Sequence, residues 1–160
     1  MGMPRRRMTV AEFMAWENEQ LERHEFYQGE TFAMVGGTRG HNRVIANLTR
    51  HLGNHLDNGP CQVVLVTCDK HFKADEQVVT APTLIIEVLS PSTQGYDRSK
   101  KFAIYRKLTS LREYVLIDPE TRRAEVFRPQ IDGSCLYLDM TDSGALTLAS
   151  IECELPLEWV

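Results

Sequence analysis

The chain has no apolar run approaching the length of a membrane span, so a helical integral membrane protein is excluded. Arg5, Arg6 and Arg7 are not followed by a long apolar stretch, and no signal peptide is expected. Cysteine is scarce. Cys61, Cys68, Cys135 and Cys153 match no zinc pattern of closely paired ligands, and no local feature marks one as activated. Without a secretion signal they read as reduced and the chain as cytoplasmic. Positive charge is in deficit, with a formal net charge of -4, which argues against a broadly cationic nucleic-acid binder. Gly36, Gly37 and Gly40 form a loop that no lysine and Ser/Thr pair follows, so it is no phosphate-binding P-loop. There is no internal repeat, low-complexity tract or domain linker.

What is present suits one compact domain over residues 1–160, with 42% hydrophobic and 25% charged residues. Thr9 and Glu12 have capping-box spacing ahead of a helix carrying Phe13 and Trp16. Arg23 to Glu30 reads as a strand and a turn at Gly29, with a return strand from Thr31 to Val35. His41 to Leu56 is the longest helical segment, with Val44, Ile45, Leu48, Leu52 and Leu56 on one stripe. Strands follow at Val63–Thr67 and Leu84–Leu89, then a helix at Asp97–Leu108. Further strands are expected at Tyr114–Ile117, Ala124–Arg128, Leu136–Met140 and Ala145–Leu148. This order predicts an α/β (α+β) domain with one mixed central sheet.

The most informative stretch is Leu84-Ile85-Ile86-Glu87-Val88-Leu89-Ser90-Pro91-Ser92. It sets a carboxylate in an apolar strand, where burial is costly unless the group is paired, protonated or bound to metal. Asp97, Lys101 and Tyr105 follow at intervals of four, a spacing that brings helical side chains to one face. Phosphodiester hydrolysis needs clustered oxygen ligands for a divalent ion and a cation near the developing negative charge. Glu87 is the best ligand candidate, and the backbone carbonyl of Val88 is its natural neighbour. Glu25 and Glu30 are further acidic candidates, equally suited to surface solvation. His41 either faces the site or solvates the end of its helix. Arg98, Lys100, Lys101, Arg106, Lys107 and Arg112 form a basic cluster that suits an exposed helix face or a phosphate backbone.

Taken together, these residues resemble the restriction-endonuclease-like PD-(D/E)XK superfamily, specifically its bacterial Uma-two branch, abundant in cyanobacteria. The resemblance runs over nearly the whole chain. It is carried by Arg23-His24-Glu25 through Gly29-Glu30, by His41-Asn42, and by Pro82 to Ser92 with Asp97, Lys101 and Tyr105. Arg112-Glu113-Tyr114 and Ile117-Asp118-Pro119 complete it. It implies a mixed sheet flanked by helices, Mg2+ or Mn2+ as cofactor, DNA as substrate and a homodimer or higher homo-oligomer. Glu87 would be the glutamate of the (D/E)XK element. Leu89 stands in that element's lysine place, and Lys101 from the following helix would supply the basic group. Glu25 would be an early acidic catalytic position, with His41, Asp97 and Tyr105 in support.

One departure matters. Family members carry a longer segment ahead of the residues matching Thr67-Cys68-Asp69, including a Pro-Asp pair whose aspartate would share the metal with Glu87. Here Cys61 to Leu65 runs straight into Val66, the pair is absent, and two strands look fused into one. Asp69 and Asp75 are the substitutes at hand. Loss of a ligand weakens a magnesium site and misplaces its water, so the expectation is an impaired endonuclease whose metal need not bind. The alternatives are an inactive nuclease-like domain that binds DNA or protein, or an oligomeric structural remnant with an uncovered sheet edge.

Overall fold

A computed structural model describes residues 7–21, 24–27, 29–33, 38–59, 61, 81–90, 94–141 and 144–159. They fall into two compact units, Met1–Gly36 and Gly37–Val160. The strand expected at Val63–Thr67, its fusion, and Asp69 and Asp75 lie outside the described residues.

The first unit holds helix α1 (Val10–Glu17) and the antiparallel hairpin β1 (His24–Tyr27) and β2 (Glu30–Ala33). The capping box forms as its spacing predicts. The Glu12 amide donates to Thr9 Oγ1 at 3.2 Å, and the Thr9 amide donates to Glu12 Oε2 at 2.8 Å. An eight-residue helix is too short to persist alone, so tertiary contacts must hold it. Phe13 stacks on Phe26 with ring centroids 4.8 Å apart, and Glu17 accepts from the His24 amide at 2.8 Å. The hairpin turns at Gly29, whose φ of +89° is open to glycine and strained for other residues.

The second unit is built on a four-stranded sheet in the order β3 (Leu84–Val88), β4 (Glu113–Asp118), β5 (Arg123–Pro129), β6 (Cys135–Met140). β3 and β4 are parallel and the other pairs antiparallel, giving the mixed sheet expected from the sequence. Parallel neighbours need a crossover. It contains α3 (Gln94–Tyr96), a π-helical turn (Asp97–Lys101) and α4 (Phe102–Tyr105). Helix α2 (Arg39–Leu56) precedes the sheet. A second hairpin, β7 (Ala145–Leu148) with β8 (Cys153–Pro156), closes the unit.

Alternation along the strands divides the core in two. Leu84, Val115, Ile117, Ala124 and Val126 join Val44, Leu52 and Leu56 of α2 and the closing hairpin in one cluster. Ile85, Tyr114 and Leu116 join Phe102, Tyr105 and Leu108 in the other. Glu87 shares the face of Ile85, so it points toward the crossover rather than toward α2.

Three local expectations change. Helix α2 begins at Arg39 because Thr38 caps it, its Oγ1 accepting from the His41 amide at 3.2 Å. The crossover helix starts at Gln94 and passes through a π turn before Phe102. Cys61 is disulfide-bonded, so the cysteines are not all reduced; Cys135 and Cys153 are free. Whether two sulfurs meet depends on their separation across the fold, which spacing along the chain does not give.

Candidate functional site

Glu87 stands one residue from the end of β3, opposite Leu116 of β4. Its carboxylate Oε1 accepts from Lys101 Nζ at 3.1 Å. Lys101 Nζ also lies 3.1 Å from Asp97 Oδ1. The ammonium thus sits between two carboxylates supplied by two elements. Side-chain exposure is 23% for Glu87, 7% for Lys101 and 2% for Asp97. A cation this buried needs the negative charge around it.

The crossover delivers Asp97 and Lys101 through the π turn. Such turns are wider than an α-helical one, carry i→i+5 hydrogen bonds and recur at functional sites. The Tyr114 hydroxyl donates to the Asp97 carbonyl at 3.1 Å, tying the turn to β4. Asp97 Oδ1 is buried and has no hydrogen-bond partner among the described residues, although the Lys101 charge is close.

The end of β3 is held from the other side. His41 Nε2 lies 3.0 Å from the Val88 carbonyl oxygen. Because a carbonyl only accepts, the hydrogen bond assigns the imidazole proton to Nε2. His41 therefore faces the strand end. Thr38 and His41 also line a small cleft with Leu89, Ser90, Gln94 and Asp118, beyond the carboxyl ends of the two parallel strands. Ligands of open α/β sheets bind in such places.

The structure thus gathers Glu87, Lys101 and Asp97, and sets His41 on the Val88 carbonyl. Tyr105 lies in the apolar cluster, its ring centroid 5.5 Å from that of Tyr114. Glu25 lies on β1 in the first unit, paired with Phe32. Tyr114, which anchors the π turn, was named in the sequence only within Arg112-Glu113-Tyr114 and as a strand residue, not as a site residue. Its one signal was its place two residues before Leu116 on a strand face. The basic cluster separates into two groups. Arg98 donates to Glu125 at 2.8 Å, Lys101 is buried, and Arg106 donates to the Gly133 carbonyl at 3.1 Å. Lys100, Lys107 and Arg112 are exposed.

Among the described residues the donors suit a hard divalent ion in kind but not in number. Carboxylates such as Glu87 and Asp97 and a backbone carbonyl are the ligand types Mg2+ takes. Among the described residues, however, no three His, Cys, Asp or Glu side chains form a metal-binding group. Glu87 and the Val88 carbonyl already serve Lys101 and His41.

Comparison with known proteins finds relatives over most of the chain. The chain is 33% identical to "Uncharacterized protein slr1290" of Synechocystis sp. (strain ATCC 27184 / PCC 6803 / Kazusa), covering 91% of this chain and 86% of that protein. It is 30% identical to "Uncharacterized protein sll1609" of the same organism, covering 86% and 90%. The first alignment takes 164 positions to cover that share of 160 residues, so about eighteen positions of the relative have no counterpart here. In fold it matches the crystal structure of a "putative nuclease belonging to DUF820" from Anabaena variabilis ATCC 29413. The TM-score is 0.70 at 16% identity, over 94% of this chain and 96% of that one. No described helix is long and apolar enough to cross a membrane. The family model Uma2, described as "Putative restriction endonuclease", matches residues 10–159. The chain belongs to this Uma2 family, and its mixed sheet flanked by helices is a nuclease-like fold.

Proposed function

We propose that the chain is a metal-dependent DNA endonuclease of low activity, hydrolysing phosphodiester bonds at a site centred on Glu87 and Lys101. The observation that carries the reading is the 3.1 Å contact between these two groups, made across fourteen residues from a strand and the helix that follows it. Glu87 and the Val88 carbonyl would hold Mg2+ or Mn2+, with Asp69 or Asp75 supplying the further carboxylate. The ion, when bound, would neutralise phosphoryl charge and acidify a water. Lys101 donates to the oxygen on which charge develops. Asp97 positions Lys101, His41 positions the end of β3, and Tyr105 backs the site through Tyr114. Glu25 of β1 is a further acidic catalytic candidate.

Low activity follows from the missing Pro-Asp aspartate and from the short donor set among the described residues. Supercoiled plasmid incubated with Mg2+ and then Mn2+ tests the reading. Slow nicking is expected, stopped by a chelator and restored by added metal. Nicking that persists in chelator would remove the metal from the proposal. A second reading, a nuclease-shaped domain that binds DNA without cutting it, is favoured by one observation. Lys101 already occupies the space between Glu87 and Asp97. Intact plasmid in both metals would select it.

The proposal places the protein in the cytoplasm as a homodimer. Among the described residues β6 is an end strand of its sheet, and Leu136 and Tyr137 on it are each 46% exposed. Unpaired strand edges invite pairing with another chain. Sedimentation at micromolar concentration is expected to give twice the chain mass of 18.3 kDa; a strict monomer would remove the dimer.

A further inference from the structure

Helix α2 is free of acidic residues over all 18 positions, although acidic residues outnumber basic ones in the whole chain. Its charged residues are Arg39, Arg43 and Arg50, and all three are exposed. At 3.6 residues per turn they fall within an arc of about 40°. The apolar stripe of Val44, Leu48, Leu52 and Leu56 lies on the opposite side. The arginines therefore form one line along the solvent face, about 17 Å long.

Two features separate this line from an ordinary solvated surface. The first is pairing. Arg98, Arg123 and Arg128 hold Glu125, Asp139 and Glu113 at 2.8, 2.7 and 2.7 Å. Among the described residues, Arg39, Arg43 and Arg50 have no carboxylate partner, a property they share with the exposed Lys100, Lys107 and Arg112. The second is position. Arg39 stands in the first turn of a helix that has no acidic residue there. Cations there oppose the helix dipole and weaken the helix. A local rule broken with no compensating contact in the fold points to a function.

The line starts at the same end of α2 as His41 but on the other side of the helix, since two residues turn it by about 200°. The His41 imidazole lies on the Val88 carbonyl on the inner side. We infer that Arg39, Arg43 and Arg50 form a track for the phosphate backbone of duplex DNA along the outer side of α2. The inference rests on the proposed nuclease reading and names the surface by which substrate is held. At ~3.4 Å of rise per phosphate on one strand, the line spans about five phosphates. The competing surface is the exposed remainder of the basic cluster, Lys100, Lys107 and Arg112, and the two predict different mutants.

Fluorescence anisotropy with a labelled 20-base-pair duplex, in chelator and across a salt series, decides between them. The R39Q/R43Q/R50Q variant is expected to bind about tenfold or more weakly at low salt. The slope of log affinity against log salt should flatten by about 2–3, at roughly 0.9 per phosphate contact. K100Q/K107Q/R112Q should match the parent. The arginine variant should melt no lower than the parent, since it relieves the helix dipole, so weaker binding is not loss of fold. Parent-like binding by the arginine variant would overturn the track while leaving DNA as the substrate. Equal loss in both triple variants would overturn it in favour of diffuse charge. A parent protein that binds no duplex at low salt would overturn both the track and the DNA reading. Retained DNA binding with lost binding to phosphatidylserine vesicles would assign the arginines to a lipid surface instead.

Discussion

Lys101→Met is expected to lower folding stability by about 3–5 kcal/mol, because it removes the cation from a buried pair. The side chain it strands is Asp97, at 2% exposure, with an Oδ1 that has no hydrogen-bond partner among the described residues. Glu87, at 23%, keeps some access to water and suffers less. The cost should therefore belong mainly to Asp97. Adding Asp97→Asn to the Lys101→Met background should recover part of the loss, giving a coupling of about 1 kcal/mol or more in a double-mutant cycle. Urea unfolding reads all four proteins. A Lys101→Met variant within about 0.5 kcal/mol of the parent, the range of ordinary surface changes, would mean that the ammonium does not sit between the two carboxylates.

The other large effect lies away from the site. Glu113 is 1% exposed on β4. Its Oε1 accepts from Arg128 Nε at 2.7 Å and from the Ala149 amide at 3.1 Å, and its Oε2 accepts from the Ser150 amide at 2.8 Å. One carboxylate thus joins β4 and β5 to the turn after β7. Glu113→Ala should cost about 3–5 kcal/mol, since it leaves a guanidinium and two amide donors without their acceptor. Glu113→Gln keeps the shape and should cost less. Along the strand Glu113 is three residues, ~10 Å, from Leu116, the partner of Glu87. Any nuclease activity per folded molecule should therefore match the parent in Glu113→Gln. Loss of activity in a stable Glu113→Gln protein would show that the two ion pairs are coupled.

Much of the architecture was legible because it depends on local pattern. Leu84 to Leu89 reads as a central strand since it is apolar on both faces apart from Glu87. Alpha-helical spacing of Val44, Leu48, Leu52 and Leu56 gives α2 its buried side. Thr9 and Glu12 announce the first helix by their spacing alone. Strand β8 was missed, because Cys153 to Pro156 alternates with charge, ends in proline and finds its partner only in β7. The π turn was also hidden. Asp97 and Lys101 read as an α-helical pair, and the bulge arises where the crossover meets Tyr114 and the sheet.

The site was half legible. A glutamate in an apolar strand demands a partner, and Lys101 on the next helix was the natural choice. Nothing local told that Asp97 would be the more deeply buried carboxylate. His41 stayed ambiguous because its partner, the Val88 carbonyl, is 47 residues away in sequence. The arginines of α2 were overlooked because the denser cluster at residues 98–112 drew the count of positive charge. Only side-chain pairing shows that Arg98 and Lys101 are consumed inside the fold, whereas Arg39, Arg43 and Arg50 are not.

Plasmid cleavage by the parent beside Glu87→Ala, both in Mn2+, tests the central assignment most directly. The account predicts slow nicking by the parent and none by the variant, with the two proteins equally folded. Equal nicking by both would contradict it, because the chemistry would then lie somewhere other than the end of β3.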